Sequence, residues 1–288
     1  QTVAHWSAAP AIRAGNAVIW KPSEITPLSA LAYDGLYKNA VAAFNTQKGY
    51  EAVPQNLMQI LPADRQLSSQ MVASENVDMV AATGSVGMCE ALEKIWTGKA
   101  NNAVPLLLEG GGNNAVYISD KMSNAALKAA AKNLLQSTIY GGAQLCTCTR
   151  RLVVHERVYD RFKAYLLAEY ENFVKTNGVQ NSLEANPRAD GLCYAPLIHK
   201  GAADGLEHTK TNLVAEGGKV IFGGERVMAA EYPNAYYYTP AIAEMPEGVN
   251  TQVMQEEYFG PLVYLTKCDS LEQGMSLVNE PKNAGLVN

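Results

Sequence analysis

The chain has 288 residues, of which 48% are hydrophobic and 18% are charged, as in globular rather than disordered proteins. Its length favours two domains over one. The net charge of −5 and the scattered basic residues offer no stripe that follows phosphates, so we expect no nucleic-acid partner. No apolar run is long enough to span a bilayer, and the N-terminal residues lack the basic and apolar regions of a signal peptide. We therefore expect no membrane partner and a cytoplasmic location.

The N-terminal part alternates short apolar runs with segments of helical spacing. The pattern predicts strands at 17–20, 57–61 and 77–82 and helices at 8–14, 28–41, 65–74 and 88–96. Such alternation indicates a parallel sheet with helices on both faces, in which ligands bind beyond the carboxyl ends of the strands. The polar turns at 21–24 and 83–87 fall at such ends.

The rest of the chain continues the α/β pattern. It predicts strands at 104–108, 115–118, 151–155 and 219–222, helices at 125–135, 158–173 and 199–216, and a strand-rich segment at 236–266. Three consecutive glycines at 110–112 predict a hinge or a close approach of two backbone segments.

Cysteine usage points to reduced thiols. Five cysteines, an odd number, do not suggest a disulfide framework, and the pair Cys146 and Cys148 lacks the second pair of a zinc site. We therefore expect no bound metal. Cys146 follows a turn of small residues and precedes Arg150 and Arg151. A thiolate is a strong nucleophile whose pKa is lowered by nearby cations or helix-end amides, and the alternative is an inert thiol in the core.

Other candidate residues stand at predicted strand ends. Glu109 is a candidate general base, and Thr83-Gly84-Ser85 opens a helix whose free N–H groups favour a pyrophosphate. Lys21 and Glu24 are candidates for binding the oxygens and hydroxyls of a ribose. The alternative is an ordinary solvated charge or a plain strand-to-helix turn, and the same alternative holds for Glu257.

Together these segments resemble, in order and spacing, the signature segments of the aldehyde dehydrogenase superfamily. The resemblance runs over essentially the whole chain. It comprises Trp20-Lys21-Pro22-Ser23-Glu24, Thr83-Gly84-Ser85, Glu109-Gly110-Gly111-Gly112-Asn113-Asn114, Gln144-Leu145-Cys146-Thr147 and Glu256-Glu257-Tyr258-Phe259-Gly260-Pro261.

The resemblance implies a fold and a domain organisation. It implies an α/β fold with a parallel, Rossmann-like nucleotide-binding sheet in residues 1–108 and an α/β catalytic domain in residues 109–288. Both domains are expected to be partial, because chains of the family extend further at each end. A homodimer or homotetramer is expected.

The implied activity is the NAD(P)-dependent oxidation of a small-molecule aldehyde to a carboxylic acid. Cys146 would form the thiohemiacetal and the thioester, and Glu109 would activate the hydrolytic water. The cofactor is expected to be NAD, with NADP as the alternative. The residues implied to hold it are Lys21 and Glu24 at the adenosine ribose, Ser85 at the pyrophosphate, and Glu257 and Phe259 at the nicotinamide end. Trp20 and Gly84, from the same motifs, are also expected to bind the cofactor.

The chain departs from the family pattern at several positions. Cys89 stands where the second glycine of the Gly-Ser motif is usual, and Ala143 replaces a glycine of the cysteine motif. Gly110 replaces a larger apolar residue, and Ala82 replaces an aromatic one. The asparagine that completes the family's oxyanion hole lies upstream of this chain. Asn113-Asn114 and the segment 146–151 are most similar to the succinylglutamate-semialdehyde branch, which acts on an acidic aldehyde.

Three alternatives stand beside this interpretation. A CoA-acylating semialdehyde dehydrogenase usually lacks the base that Glu109 would supply. A dehydrogenase-derived protein that binds without turnover would be expected to lose the nucleophile, whereas Cys146 is present. A cysteine-dependent hydrolase needs a histidine partner. The chain has four histidines, and none lies in a recognisable motif: His5, His155, His199 and His208.

Overall fold

The structure is a computed structural model, and it describes residues 2–47, 49, 51–100, 103–104, 106–176, 179 and 194–281. The chain forms two compact units, Gln1–Gly110 and Gly111–Asn288. Each unit alternates strands and helices, which confirms the α/β class predicted from the sequence pattern. Among the helices of the described ranges, none combines the length and apolarity needed to cross a membrane.

Within its described residues, the first unit contains two pairs of short parallel strands. β1 (Val18–Trp20) pairs with β2 (Met58–Ile60), and β3 (Ala81–Gly84) pairs with β4 (Leu107–Gly110). The helices are α1 (Thr2–Arg13), α2 (Pro27–Asn45), α3 (Arg65–Ala73) and α4 (Val86–Thr97). Their starts follow local signals, because Pro27 occupies the first turn of α2 and the side chains of Asp64 and Ser85 cap α3 and α4.

The strand predicted at 77–82 begins later than the apolar run suggests. The ammonium group of Lys99 donates to the carbonyl oxygens of Ser74 at 2.8 Å and Val77 at 2.7 Å, which holds this segment in a turn. Strand pairing therefore starts beyond the turn, and Gly84 is the last residue of β3 rather than part of a loop.

The second unit is built on a five-stranded sheet of order β5-β6-β9-β8-β7. The neighbouring strands are parallel except β7, which runs antiparallel to β8. The strands are β5 (Asn114–Ile118), β6 (Thr149–His155), β7 (Lys219–Phe222), β8 (Ala241–Glu244) and β9 (Leu262–Cys268). The helices are α5 (Asn124–Ile139), α6 (Glu156–Lys175), α7 (Lys200–Ala215), α8 (Gln252–Gln255) and α9 (Leu271–Asn279). No helix was predicted at α8 or α9.

Hydrophobic clusters cover this sheet. One cluster joins α5 and α6 to the strands, and α6 contributes buried side chains at helical spacing: Val158, Phe162, Leu166, Tyr170 and Phe173. A second cluster joins α7 and α8 to β8 and β9. Every residue of β6 is buried, including Arg150 and Arg151. Two buried arginines need hydrogen-bond or ion-pair partners, and the partners of Arg150 lie at the candidate site.

Candidate active site

The candidate nucleophile lies on a turn between α5 and β6. After α5 ends at Ile139, a single 3-10 turn covers Tyr140–Ala143. Gly141, Gly142 and Ala143 have φ values of 63°, 70° and 56°, all in the left-handed region. A left-handed run of this kind reverses the chain, so Cys146 is presented in the loop just before β6 begins.

The backbone of Cys146 is held from the start of β5. The side-chain amide of Asn114 donates to the carbonyl oxygens of Cys146 at 2.9 Å and Cys148 at 3.3 Å. Gly112 lies against the same peptide, since a Cβ atom at this position would be 2.6 Å from the Cys146 carbonyl oxygen. The close approach predicted for the glycine run is therefore made at Gly112.

Cys146 is the one partly exposed cysteine of the four that the structure describes, all of which are free. Burial raises the pKa of the Cys148 thiol, with Arg150 opposing the rise, and burial also raises the pKa of Cys89. Burial raises the pKa of Cys268 to about 11. Because the thiolate is the reactive form, a raised pKa makes these three buried thiols poor nucleophiles.

Gln144 ties the same turn to a second segment of this unit. Its side-chain amide donates to the carbonyl oxygen of Pro196 at 2.9 Å and accepts from the backbone N–H of Ile198 at 2.9 Å. A glutamine that pairs through both ends of its amide fixes its own orientation. The turn is therefore braced on one side by Asn114 and on the other by Gln144.

Arg150 connects the turn to two residues predicted at the nicotinamide end of the cofactor. Its guanidinium group donates to the carbonyl oxygens of Ala143 at 3.2 Å and Leu145 at 2.9 Å. It also forms an ion pair with Glu257 at 3.0 Å and lies 5.0 Å from the centre of the Phe259 ring. One side chain thus links the turn that carries Cys146 to Glu257 and Phe259, a link that the sequence did not reveal.

Arg151 points in a different direction from its neighbour. It donates to the backbone and side-chain oxygens of Asn113 at 2.9 to 3.3 Å and to the carbonyl oxygens of Leu277 and Val278 at 2.8 and 3.1 Å. Asn113 in turn donates to the Met254 carbonyl oxygen at 2.8 Å. Asn113 and Arg151 both lie in the segments that are similar to the succinylglutamate-semialdehyde branch, and in the structure they bond to each other inside the core.

A groove opens beside the turn in this second unit. It has a volume of about 320 Å³ and is lined by Asn133, Gln136, Ser137, Tyr140, Leu145, Thr147 and Cys148. Four of these residues recur along one face of α5 and the turn that follows it, while Leu145 and Thr147 flank Cys146. Most of the lining side chains carry hydrogen-bonding groups and none carries a full charge.

The first unit places Lys21 and Glu24 just beyond β1. Their charged groups are 3.7 Å apart, and the Lys21 side chain is the less exposed of the two. Glu24 also lines a groove of about 230 Å³ at the carboxyl ends of β1 and β2, together with Pro22, Ser23, Pro27, Pro62, Ala63 and Asp64. The Trp20 ring instead packs against His5 and Tyr33, with ring centres 6.3 and 5.7 Å apart.

The other strand pair of the first unit carries the remaining candidates. The β3–β4 register places Thr83 beside Glu109 and Gly84 beside Gly110. Ser85 caps the following helix, because its hydroxyl oxygen accepts from the Met88 N–H at 3.2 Å. Cys89 occupies the space beside Gly110, where a Cβ atom would come within 3.0 Å of the sulfur. Cys89 and Gly110 both depart from the family pattern, and the Cys89 side chain fills the space that the missing side chain of Gly110 leaves.

The chain belongs to the aldehyde dehydrogenase family, whose profile, described as "Aldehyde dehydrogenase family", matches residues 2–287. It is 31% identical over 272 residues to lactaldehyde dehydrogenase of Escherichia coli (strain K12), a match that covers 94% of this chain and 51% of that protein. It is 27% identical over 278 residues to betaine aldehyde dehydrogenase of Bacillus subtilis (strain 168), covering 96% of this chain and 51% of that protein. The chain thus spans about half the length of these curated relatives.

Two solved structures match nearly all of this chain and about half of their own length. A 3,6-anhydro-L-galactose dehydrogenase in complex with NADP matches with a TM-score of 0.76 at 25% identity, covering 96% of this chain and 53% of that chain. A betaine aldehyde dehydrogenase of Staphylococcus aureus in complex with NAD+ matches with a TM-score of 0.76 at 23% identity, covering 96% of this chain and 50% of that one. These likenesses confirm the fold predicted from the sequence.

Proposed function

We propose that the protein to which this chain belongs oxidises an aldehyde to a carboxylic acid with NAD(P)+ as the oxidant, and that Cys146 is its nucleophile. One observation carries the proposal. Cys146 is partly exposed on a turn whose backbone is bonded both to Asn114 and to Arg150, and Arg150 also holds Glu257 and Phe259. A thiol needs such an arrangement to keep a fixed position relative to a cofactor.

The chemistry of each step follows from the residues. The Cys146 thiolate attacks the aldehyde carbon and forms a thiohemiacetal, while the Cys146 backbone N–H donates to the developing oxyanion. Loss of a hydride from that carbon leaves a thioester. Glu109 then removes a proton from water, the water attacks the thioester, and the carbon–sulfur bond breaks to release the carboxylic acid and the thiolate. The role of Glu109 rests on the motif that surrounds it.

Residues of the first unit suit a dinucleotide. The hydroxyl of Ser85 accepts from Met88, so its proton is left to donate to a phosphate. The proposed role of Gly84 rests on its motif, and the Met88 side chain fills the space beside it, where a Cβ atom would come within 2.6 Å. Lys21 and Glu24 stand at strand ends where ribose oxygens are usually bound. The chemistry that NAD(P)+ supplies when bound is the acceptance of a hydride.

We propose NAD as the preferred cofactor, with NADP as the alternative. A carboxylate at Glu24 repels the 2′-phosphate that distinguishes NADP, and Glu24 is the more exposed member of its ion pair. Relatives are seen with each cofactor, NAD+ in the betaine aldehyde dehydrogenase and NADP in the anhydrogalactose dehydrogenase. Initial rates that favour NADP would overturn this preference.

We propose a polar semialdehyde as the substrate. The groove next to the Cys146 turn offers amide and hydroxyl groups, including those of Asn133, Gln136 and Thr147, among the apolar parts of its lining side chains. Such groups suit an aldehyde that carries hydrogen-bonding substituents. The resemblance to the succinylglutamate-semialdehyde branch favours an acidic one.

The domain boundary, location and assembly also belong to the proposal. We propose that the nucleotide-binding domain covers residues 1–108 and the catalytic domain residues 109–288, whereas the two compact units divide two residues later, after Gly110. We propose a cytoplasmic homodimer or homotetramer, and the free thiols of the described cysteines are those expected in a reducing compartment.

The test is the substitution Cys146→Ala in the full-length protein. We expect wild type to reduce NAD+ when supplied with a panel of semialdehydes and the variant to lose this activity by at least about a thousandfold, because the nucleophile is removed. Cys268→Ala, at a buried thiol in β9, is the matched control and is expected to remain active. Full activity in Cys146→Ala would refute the assignment.

A further inference from the structure

We propose that Arg150 is a positioning residue that couples the Cys146 turn to the cofactor-binding carboxylate of Glu257. The inference rests on the proposed function and adds to it a residue for which the sequence suggested only a charge near the thiol. Arg150 lies in β6, between the turn and the loop that carries Glu257 and Phe259.

The guanidinium group is shared between the two sides. On the turn side, Nη1 donates to the Ala143 carbonyl oxygen at 3.2 Å and Nη2 donates to that of Leu145 at 2.9 Å. On the cofactor side, Nε and Nη2 donate to Oε1 of Glu257 at 3.3 and 3.0 Å. Leu145 immediately precedes Cys146, so a displacement of Arg150 is passed directly to the peptide that bears the nucleophile.

Burial makes this link stiff. The Arg150 side chain is 2% exposed and that of Glu257 is 19% exposed, so solvent cannot easily replace a lost partner. A buried charge that loses its counter-ion is strongly destabilised, which keeps the pair closed. Lysine could neutralise Glu257, but its compact ammonium group lacks the planar fork that reaches a carboxylate and two carbonyl groups at once.

The geometry leaves Glu257 ready for a ligand. Both bonds from Arg150 go to Oε1, and no described residue donates a hydrogen bond to Oε2. An unpaired carboxylate oxygen accepts readily from a sugar hydroxyl. Phe259 lies against the same guanidinium group, 5.0 Å from its carbon atom, and this contact limits the orientation of the ring.

The experiment compares Arg150→Lys with Arg226→Lys in the full-length protein. Arg226 serves as a surface control, since it is exposed but also donates to two carbonyl groups, those of Pro233 and Ala235, and lies 5.1 Å from the centre of the Tyr236 ring. Thermal unfolding is measured first for both variants. Steady-state rates then give kcat and KM for NAD+, and mass spectrometry gives the rate of Cys146 alkylation by iodoacetamide without cofactor or aldehyde.

We expect Arg150→Lys to lower kcat/KM for NAD+ by about tenfold to a hundredfold and to change the Cys146 alkylation rate by at least about threefold. Arg226→Lys is expected to change neither quantity by more than about twofold. Equal behaviour of the two variants would overturn the inference while leaving the proposed function intact.

A second variant tests the link from the other side and protects against a folding defect at Arg150. Glu257→Gln keeps the shape but removes the charge that holds Arg150, so we expect it both to raise KM for NAD+ and to change Cys146 alkylation. A raised KM with unchanged alkylation would show that the carboxylate and the turn are not coupled. If wild type does not oxidise aldehydes but the alkylation coupling is present, the proposed function fails and the positioning role stands.

Discussion

Ala143 carries the main backbone strain of the candidate site. Its φ of 56° lies in the left-handed region, which costs a residue with a Cβ atom about 1–2 kcal/mol relative to the right-handed region. Its carbonyl oxygen accepts from Arg150, and its side chain is 1% exposed. The family pattern has glycine here, so the departure noted in the sequence corresponds to a measurable local strain.

We expect Ala143→Gly to leave the free energy of unfolding within about 0.5 kcal/mol of wild type, because relief of strain offsets the loss of a buried methyl group. Ala131→Gly is the comparison, since Ala131 is fully buried in the middle of α5 with ordinary helical backbone. It is expected to lose about 1 kcal/mol or more. Chemical denaturation measures both, and equal losses would show that Ala143 is not strained.

Individual site residues differed in how far the sequence could reveal them. Cys146, Glu257 and Phe259 were named from short motifs, and in the structure Arg150 contacts Glu257, Phe259 and the Leu145 carbonyl oxygen next to Cys146. The partner of each arginine could not be read in advance, because Arg150 and Arg151 are adjacent in the sequence yet lie on opposite faces of β6. The sequence indicated Asn114 only through its similarity to the succinylglutamate-semialdehyde branch. Its hydrogen bond to the Cys146 carbonyl oxygen joins residues 32 positions apart, which local sequence patterns do not predict.

At the scale of elements, the start of α4 combines a structural feature with a proposed ligand-binding one. Ser85 directly follows β3 and caps α4, and the same hydroxyl is proposed to meet a pyrophosphate. Ser123 caps α5 in the same way, since its hydroxyl oxygen accepts from the Ala126 N–H at 3.2 Å. The two serines allow the capping role to be separated from the binding role.

We expect Ser85→Ala and Ser123→Ala each to lower the free energy of unfolding by about 1 kcal/mol, the usual cost of losing an N-cap. Only Ser85→Ala is expected to raise KM for NAD+, by about tenfold, because a hydrogen bond to a charged phosphate is lost. Steady-state kinetics and chemical denaturation test both statements. An equal KM in the two variants would remove Ser85 from the proposed cofactor site.

Element types followed from local signals more closely than element boundaries did. The apolar runs around β1, β2 and β6 and the helical spacing of α2 and α6 predicted those elements within a few residues. The start of β3 was wrong because Lys99 reaches back to hold the preceding turn, a contact between residues more than twenty positions apart. The short helix α8 follows a threonine but has no side-chain cap, which left it without a sequence signal.

At the scale of the whole molecule, family membership is settled by a match to residues 2–287, while the chain spans about half the length of its relatives. The α/β class followed from alternation, since strands and helices that alternate have few ways to pack. The order of the five-stranded sheet, β5-β6-β9-β8-β7, could not be predicted from this alternation, because β9 lies between strands that precede it in the chain. Strand order depends on tertiary packing, which periodicity does not encode.

The central claim is that an acyl group is carried on Cys146, and the most direct measurement is the mass of the acyl-enzyme. The full-length Glu109→Gln variant, whose deacylation is expected to be slow, is mixed with aldehyde and NAD+ and quenched within one turnover. The account predicts about one equivalent of NADH per active site and an acyl adduct on the peptide that contains Cys146. NADH formation with no adduct on Cys146, or with the adduct on another residue, would contradict it.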